Sequence, residues 1–309
     1  MSSAPLVEAK GLTKRFGDFV AVDGIDFEIR PGEAFGFLGP NGAGKTSTMK
    51  MITTVSPITE GEMTVFGLDP ATDGPSIRSR LGVVPQEDNL DQELSVEENL
   101  YIYGRFHDVP KPVIRARIDE LLDFAQLEER RHSTVESLSG GMKRRLTIAR
   151  ALINEPTLVI LDEPPTGLDP QARHVLWDRL YRLKQEGATL IITTHYMDEA
   201  EQLCDRLVIM DKGLIAAEGS PSDLIEHYAT REVVELRFAP GTADNGLGLL
   251  DGAVERMEAL ADRVLLYTND SNTLVSAIYD SGIEYVQRLT RRSTLEDVFL
   301  HLTGRRLID

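Results

Sequence analysis

The stretch GPNGAGKT, residues 39–46, constrains the fold of this chain more than any other part of its sequence. It fits the pattern G-x-x-x-x-G-K-[S/T], follows the apolar run EAFGFLG (33–39) and precedes a stretch of helical character. In such a loop the glycines let backbone N–H groups turn inward around phosphate oxygens, and the N-terminus of the next helix adds positive potential. This stretch, the phosphate loop, therefore predicts a nucleotide site between a buried strand and a helix.

The side chains of the phosphate loop indicate how it would hold a nucleotide. We expect Lys45 to reach the β- and γ-phosphates, and the Thr46 hydroxyl to bind Mg²⁺. The other nucleotide-binding positions expected in the loop are Gly39, Asn41, Gly42, Gly44 and Ser47.

A second motif ends in two carboxylates. The run TLVILDE (157–163) is typical of a buried strand, and it ends in Asp162 and Glu163. Asp162 suits direct or water-mediated contact with Mg²⁺, and Glu163 is suited to polarise a water molecule aimed at the γ-phosphorus. Two acidic residues at a strand end mean little alone, but beside a phosphate loop they indicate hydrolysis of a nucleoside triphosphate.

Strands and helices alternate through the first two-thirds of the chain. Besides 33–39 and 157–163, the runs RLGVVPQ (80–86) and TLIITTH (189–195) are apolar and bounded like strands, which favours buried parallel strands. Helical spacing predicts a helix between them whose apolar face consists of Ile114, Ile118, Leu121, Leu122 and Ala125. The alternation predicts an α/β core around a mostly parallel sheet.

The pattern changes near Ala229, which predicts one domain over 1–229 and a second over 230–309. The second domain is expected to be a small α/β sandwich with an antiparallel sheet. Its final helix is predicted to begin at a capping box formed by Ser293 and Glu296. Its other predicted elements are strands at 231–238, 253–260, 262–268 and 283–289, a Gly-rich connection after the first strand, and a helix at 272–282.

Charge and hydropathy exclude several classes of protein. The net charge of −17, from 33 basic and 50 acidic residues, argues against a nucleic-acid partner. The basic triplet 143–145 is therefore interpreted as a helix surface. No apolar run approaches the roughly 18 residues of a membrane span, and the first residues lack a signal-peptide pattern. We expect the chain to stay in the cytoplasm.

The stretch LSGGMKRRL (138–146) predicts a second anion site. Ser139 stands where a helix N-cap belongs, so an ordinary capped helix is the simplest interpretation. Gly140 and Gly141 in the first turn would, however, cost helix stability without helping packing. They make sense if an anion must approach the backbone closely. Because the phosphate loop already serves this chain's nucleotide, we expect this second site to serve the nucleotide of another copy.

With these motifs, residues 6 to about 228 resemble the ATP-binding subunits of ABC transporters. The resemblance implies a P-loop NTPase fold: a parallel-sheet core with an antiparallel β subdomain and a helical subdomain, followed here by a small α/β accessory domain. It also implies a head-to-tail homodimer. Each ATP, with Mg²⁺, would lie between the phosphate loop of one copy and the Ser139 helix of the other.

The resemblance carries four further positions over to this sequence. Phe16 matches the aromatic residue that stacks on adenine, although an apolar residue of an edge strand would look the same. Gln86 matches the glutamine that contacts Mg²⁺ and the attacking water. His195 matches the histidine that contacts the γ-phosphate. Asp169 matches the aspartate that crosses the dimer, although Asp169-Pro170 is also a pattern typical of a helix start.

Three runs, at 6–27, 84–100 and 293–305, together resemble the branch of daunorubicin-resistance and nodulation-factor export ATPases, which pair with a separate permease of the ABC-2 type. This implies an exporter of a drug-like or lipid-linked amphiphile, held at the cytoplasmic face of the membrane by its permease. An importer subunit and a soluble ABC ATPase remain alternatives. Acidic residues after Gln86, including Glu87 and Asp88, are expected to face basic permease loops, with a solvated surface as the alternative. Pro165 departs from the family pattern, which usually has threonine there.

Overall fold

The computed structural model describes residues 4–165, 168–239, 250 and 252–304. The chain divides into two compact units, Met1–Glu218 and Gly219–Asp309. The domain boundary inferred from the sequence, between 229 and 230, stays a prediction. Thr166, Gly167 and the Gly-rich connection at 240–249 lie outside the described residues.

The first unit contains two sheets. One is antiparallel, in the strand order β2-β1-β4. The other runs β5-β6-β7-β3-β8-β9, and its strands from β5 to β8 pair in parallel. The four strands predicted from apolar runs, β3, β5, β6 and β7, are all present. The strands are β1 (Val7–Phe16), β2 (Phe19–Ile29), β3 (Ala34–Leu38), β4 (Glu60–Val65), β5 (Leu81–Val84), β6 (Leu158–Asp162), β7 (Thr189–Thr194), β8 (Arg206–Asp211) and β9 (Leu214–Gly219).

Helices connect these strands. The five apolar residues predicted to share a face at 114–125 are all buried on α4. Ser95 and Glu98 form a capping box at the start of α3. The helices of this unit are α1 (Lys45–Ile52), α2 (Gly74–Arg78), α3 (Val96–Phe106), α4 (Lys111–Ala125), α5 (Gly140–Ala151), α6 (Pro170–Gln185) and α7 (Met197–Leu203).

An aromatic cluster joins the two sheets of the first unit. Phe35 and Phe37, two residues apart, lie on the same side of β3, and both rings contact Phe27 of β2. All three side chains are buried within one apolar core. Rings packed edge to face at 5.2 Å, as Phe27 and Phe37 are, contribute about 1 kcal/mol beyond their burial. The phosphate loop follows directly from β3, so this core fixes where the loop begins.

The second unit is built on an antiparallel sheet, as predicted, in the order β11-β12-β10-β13. Alternate residues of β10 and β12 enter separate cores on its two faces. Leu274 of α9 packs on one face, and Leu300 of α10 packs on the other. The elements are α8 (Pro221–Tyr228), β10 (Glu232–Arg237), β11 (Arg256–Ala259), β12 (Arg263–Thr268), α9 (Ser271–Asp280), β13 (Gln287–Arg292) and α10 (Leu295–Thr303).

Two predicted features of the second unit lie at later positions in the sequence than expected. The capping box of α10 is formed by Thr294 and Asp297 rather than by Ser293 and Glu296. The Asp297 carboxylate also accepts two hydrogen bonds from Arg291, at 2.6 and 2.9 Å, and this ion pair selects the later register. The strand predicted at 283–289 begins only at Gln287, because the chain first turns at Gly282, whose φ is +68°.

Candidate nucleotide-binding and catalytic site

The phosphate loop is shaped by two glycines that no other residue could replace without movement. A Cβ on Gly39 would lie 2.3 Å from the carbonyl oxygen of Met210. Gly44 has φ of +109°, and a Cβ there would lie 2.6 Å from the carbonyl oxygen of Ala21. Gly44 is also the N-cap of α1, so its conformation turns the loop into the helix.

The side chains of the loop occupy different environments. Lys45 is buried, and its Nζ donates to the carbonyl oxygens of Gly39 at 2.6 Å and Pro40 at 3.2 Å. Thr46 is exposed. The pocket that contains the loop has a volume of about 160 Å³, below the roughly 300 Å³ at which small-molecule pockets begin. It is lined by Phe19, Ala21, residues 40–47, Gln86 and Glu163.

Three of the predicted catalytic residues meet at the end of β6. Glu163 Oε1 lies 3.0 Å from Nδ1 of His195, and Glu163 Oε2 accepts a hydrogen bond from Gln86 Nε2 at 3.2 Å. Glu163 is buried but lines the phosphate-loop pocket. A carboxylate held from both sides beside a phosphate loop has the orientation that a water-activating group needs.

The backbone of Glu163 is held in a conformation that non-glycine residues rarely adopt, with φ of +46°. Its N–H donates to the carbonyl oxygen of Thr193 at 3.0 Å and to the Thr193 hydroxyl at 3.1 Å. The same hydroxyl donates to Oδ1 of Asp162. Thr193 therefore orients both acidic residues, and sequence reasoning missed it because a buried threonine in a strand carries no signal of its own.

Arg144 corrects the interpretation of 143–145 as a helix surface. It is 3% exposed, and its guanidinium donates to backbone carbonyl groups at 85–86 and 162–164. Burial lowers the pKa of Arg144, and the negative charge of Asp88 counteracts the effect. Helical spacing could have indicated that Arg144 is buried, since it shares one buried face of α5 with Thr147, Ile148 and Ala151.

The second predicted anion site forms a separate cleft of about 500 Å³, the Ser139 cleft. Ser139 is the N-cap of α5, and its Oγ accepts from the N–H of Met142 at 3.3 Å. Asp169 is the N-cap of α6 and accepts from the N–H of Ala172 at 2.9 Å, so the helix-start interpretation of Asp169 is confirmed. The residues that line this cleft are Gln126, Ser139–Met142, Arg145, Leu168, Asp169, Gln171, Ala172 and Val175.

Most of the predicted site residues therefore fall into two half-sites. Residues 40–47, Gln86 and Glu163 line one pocket, and Ser139, Gly140, Gly141 and Asp169 line the other, whereas Phe16, Gly39, Asp162 and His195 line neither. No residue lines both. The division follows from the fold, because the loop after β3 and the start of α5 belong to different parts of the first unit.

Two exposed aromatic rings lie at the turn between β1 and β2. Phe16 and Phe19 are paired directly across the strands and are 55% and 63% exposed. The ammonium group of Lys14 lies 5.0 Å from the centroid of the Phe16 ring. Phe19 lines the phosphate-loop pocket, whereas Phe16 is its neighbour on the same face. Adenine stacking on Phe16 stays a prediction, and sequence reasoning did not single out Phe19.

Comparison with known families and proteins gives a consistent result. Residues 22–166 match the family described as ABC transporter, and residues 244–304 match the C-terminal domain of the nodulation factor export protein NodI. The chain is 44% identical to the Nod factor export ATP-binding protein I of Ralstonia nicotianae, over 100% of this chain and 97% of that protein. It is 45% identical to the protein of the same name from Cupriavidus pinatubonensis, over 98% and 92% of the two chains.

Solved structures agree with these relatives. An ATP-binding subunit of an ABC transporter superposes with a TM-score of 0.66 at 31% identity, covering 72% of this chain and 93% of that chain. The dimeric, post-hydrolysis ATP-binding cassette MJ0796 bound to ADP and Pi gives 0.63 at 28% identity, covering 69% and 98%. Among the described residues no helix is both long and apolar enough to cross a bilayer. The chain therefore belongs to the ABC transporter family, as the ATP-hydrolysing subunit of an exporter.

Proposed function

We propose that this subunit hydrolyses ATP as a head-to-tail homodimer and drives a separate permease of the ABC-2 type from the cytoplasmic face of the membrane. The observation that carries the proposal is the division of the residues predicted to contact nucleotide into two half-sites on one chain. An isologous two-fold dimer brings unlike patches of its two copies together twice. It would therefore complete both nucleotide sites at once.

In each composite site, the two copies would hold the phosphates from opposite directions. The backbone of the phosphate loop and Lys45 would bind the β- and γ-phosphates. Ser139 and the free N–H groups at the start of the partner's α5 would face the γ-phosphate from the opposite side. Donors fixed in advance on both sides stabilise the charge of the transferring phosphoryl group without having to reorganise.

The residues near the phosphate loop suit Mg²⁺. Thr46 is exposed at the start of α1, and Asp162 is oriented by the Thr193 hydroxyl. The described residues contain no cluster of three or more His, Cys, Asp or Glu side chains arranged for a metal. That suits Mg²⁺, which is usually bound through one or two carboxylates together with phosphate oxygens and water. Thr46, Asp162 and Gln86 would hold the ion, which neutralises charge on the phosphates.

Glu163 would orient and polarise the attacking water, with His195 and Gln86 holding its carboxylate. Glu163→Gln should bind ATP but turn over very slowly, and near-normal turnover would refute the role. The slow variant also allows a test of the dimer. With MgATP it should elute as a dimer in gel filtration, and adding Ser139→Arg should leave monomers that still bind ATP. The exposed Ser137→Arg serves as the control; an unchanged dimer in the Ser139 variant would refute the composite site.

The permease would dock at a cleft of about 520 Å³ in the first unit. Phe106 and Val55 line this cleft and are 78% and 70% exposed. Large exposed apolar side chains at a cleft are typical of a docking surface. We take the occupant to be a cytoplasmic loop of the permease. The cargo would be a drug-like or lipid-linked amphiphile, and the relatives are named for export of Nod factor.

Most of the acidic side chains after Gln86 have partners within the chain, so few of them are available to attract a basic loop of the permease. Asp88 accepts from the Thr147 hydroxyl at 3.0 Å, Glu98 caps α3, and Glu97 lies 3.6 Å from Arg131. Glu87 is exposed and remains the best candidate to meet a basic permease loop.

The docking proposal is tested by purifying the tagged chain from detergent-solubilised membranes of its host. A polytopic membrane protein should co-purify in stoichiometric amount. Phe106→Ser and Glu87→Lys should each lower its yield, whereas Val113→Ser, exposed on α4 outside the cleft, should not. Recovery of the chain without any membrane protein would refute the permease proposal and leave the dimer untouched.

A further inference from the structure

A single buried guanidinium connects two catalytic segments of this chain. Arg144 lies in the second turn of α5, five residues after Ser139, and is 3% exposed. All its hydrogen bonds to these segments go to backbone carbonyl oxygens, two at 85–86 and three at 162–164. The distances are 2.5 Å to Pro85, 3.3 Å to Gln86, 3.0 Å to Asp162, 3.1 Å to Glu163 and 2.7 Å to Pro164.

The segments that Arg144 holds carry the side chains that meet at the proposed γ-phosphate position. Gln86 belongs to the first segment, residues 85–86, and Glu163 belongs to the second, residues 162–164. The backbone at Glu163 is left-handed, a conformation that costs about 1–3 kcal/mol and persists only where surrounding contacts enforce it. Thr193 holds the N–H side of this residue, and Arg144 holds its carbonyl side.

We propose that Arg144 is a positioning residue for ATP hydrolysis: its guanidinium fixes the backbones at 85–86 and 162–164, sets Gln86 and Glu163 against the γ-phosphate, and ties both to the helix that begins at Ser139. The inference rests on the proposed catalytic role of Glu163. It adds a physical link between the half-site that hydrolyses this copy's ATP and the half-site that contacts the partner's ATP.

A lysine cannot make these contacts. The planar guanidinium offers five N–H donors in a fixed fork, so that Nη1 serves residues 85–86 while Nε and Nη2 serve residues 162–164. An ammonium group offers three donors from one point and would leave buried carbonyl groups without partners. Because a displacement of about 1 Å at a reacting group lowers the rate about 100-fold, loss of this anchor should act mainly on kcat.

The same helix provides a matched control. Arg150 is also buried, at 8% exposure, and its guanidinium donates to the carbonyl oxygen of Asn89 and lies over the ring of Tyr103. Neither of these partners belongs to the catalytic segments. Arg150→Lys therefore makes the same chemical change at a similar depth without touching Gln86 or Glu163.

The experiment measures single-turnover rate and KM for MgATP with the full chain carrying Arg144→Lys, Arg150→Lys, Glu163→Gln, or Arg144→Lys with Glu163→Gln. Arg144→Lys should lower the rate about 10–100-fold with KM within about threefold, and Arg150→Lys should stay within about threefold of the parent. In the Glu163→Gln background, Arg144→Lys should lower the residual rate by less than about twofold, because the Glu163 carboxylate is already gone and only the placement of Gln86 is left to disturb.

An equal loss of rate in both backgrounds, a rise in KM alone, or equal effects of the two arginine variants would overturn the inference. Near-normal turnover of Glu163→Gln would refute the proposed catalytic role instead. If Arg144→Lys does not fold, Asp88→Asn decides by the same comparison, since the Asp88 carboxylate lies 3.7 Å from the Arg144 guanidinium. It should lower the rate about two- to fivefold in the parent and not in the Glu163→Gln background.

Discussion

The carboxyl group of Glu199 on α7 should make the stability of the first unit depend on pH. Glu199 is fully buried, and neither of its carboxylate oxygens has a hydrogen-bond partner of acceptable geometry. The pKa of Glu199 is raised from 4.5 to about 8, mainly by burial and also by the charges of Asp198 and Glu163, against the opposing effects of Thr194 and Arg173. At neutral pH the group is therefore protonated in the folded protein and ionised in the unfolded chain.

The sign of the effect follows from proton uptake. Between pH 4.5 and about 8 the folded state keeps a proton that the unfolded chain has lost, so raising the pH favours unfolding. The stabilisation is complete below the unfolded pKa and is lost as the pH rises through the folded pKa. From pH 5 to pH 8 the free energy of unfolding falls by about 3 kcal/mol, because a difference of one bound proton changes it by about 1.4 kcal/mol per pH unit.

Glu199→Gln isolates this contribution, because glutamine has a similar shape and does not titrate. The single tryptophan, Trp177, lies on α6 in the first unit, so its fluorescence follows unfolding of that unit alone. We expect the unfolding free energy of the variant, minus that of the parent, to rise by about 3 kcal/mol between pH 5 and pH 8 in urea titrations. The exposed Glu120→Gln on α4 makes the same change from carboxyl to amide and serves as the control.

A constant difference for Glu199→Gln over the same range would refute the reasoning, because it would mean that Glu199 is ionised in both states. A difference that falls as the pH rises would refute it as well, since the carboxylate would then be stabilised by a partner in the folded protein.

Three further substitutions test other parts of the fold. Gly39→Ala puts a Cβ 2.3 Å from the carbonyl oxygen of Met210, so binding of a fluorescent ATP analogue should be lost. Arg291→Met leaves the buried carboxylate of Asp297 unpaired, which should destabilise the second unit by about 3–5 kcal/mol and speed hydrogen exchange in β12. Gly140→Ala meets no atom within 4 Å, so it should stabilise the isolated chain by about 0.5–1 kcal/mol in urea while weakening the ATP-dependent dimer of the Glu163→Gln variant.

The sequence predicted those parts of the fold whose signal is local. Strands β3, β5, β6 and β7 are short apolar runs, and buried parallel strands need apolar side chains on both faces. The phosphate loop is also local, since its conformation depends on glycines within eight residues. The convergence of Gln86, Glu163 and His195 was foreseen only through the resemblance to a family, because they come from three separate strand ends.

The misses have a different origin, in contacts between distant segments. The pattern of a capping box fits both Ser293 with Glu296 and Thr294 with Asp297, and only the ion pair of Asp297 with Arg291 decides between them. Arg144 looked like a surface residue because charged side chains are seldom buried. What keeps it inside is a set of carbonyl groups at the ends of two other strands, and no pattern in residues 138–146 reveals where those strands end.

The first turn of α5 shows how stability has been given up for function. A Cβ on Gly140 would meet nothing, and the nearest atoms to one on Gly141 lie 3.6 and 3.7 Å away. Packing within this chain therefore does not require either glycine, although each costs a helix about 0.5–1 kcal/mol. Gly39 and Gly44 are different, since their own surroundings exclude a side chain. The reason for Gly140 and Gly141 must therefore lie outside this chain. A ligand held by a second copy, approaching the end of the helix that Ser139 caps, would require them.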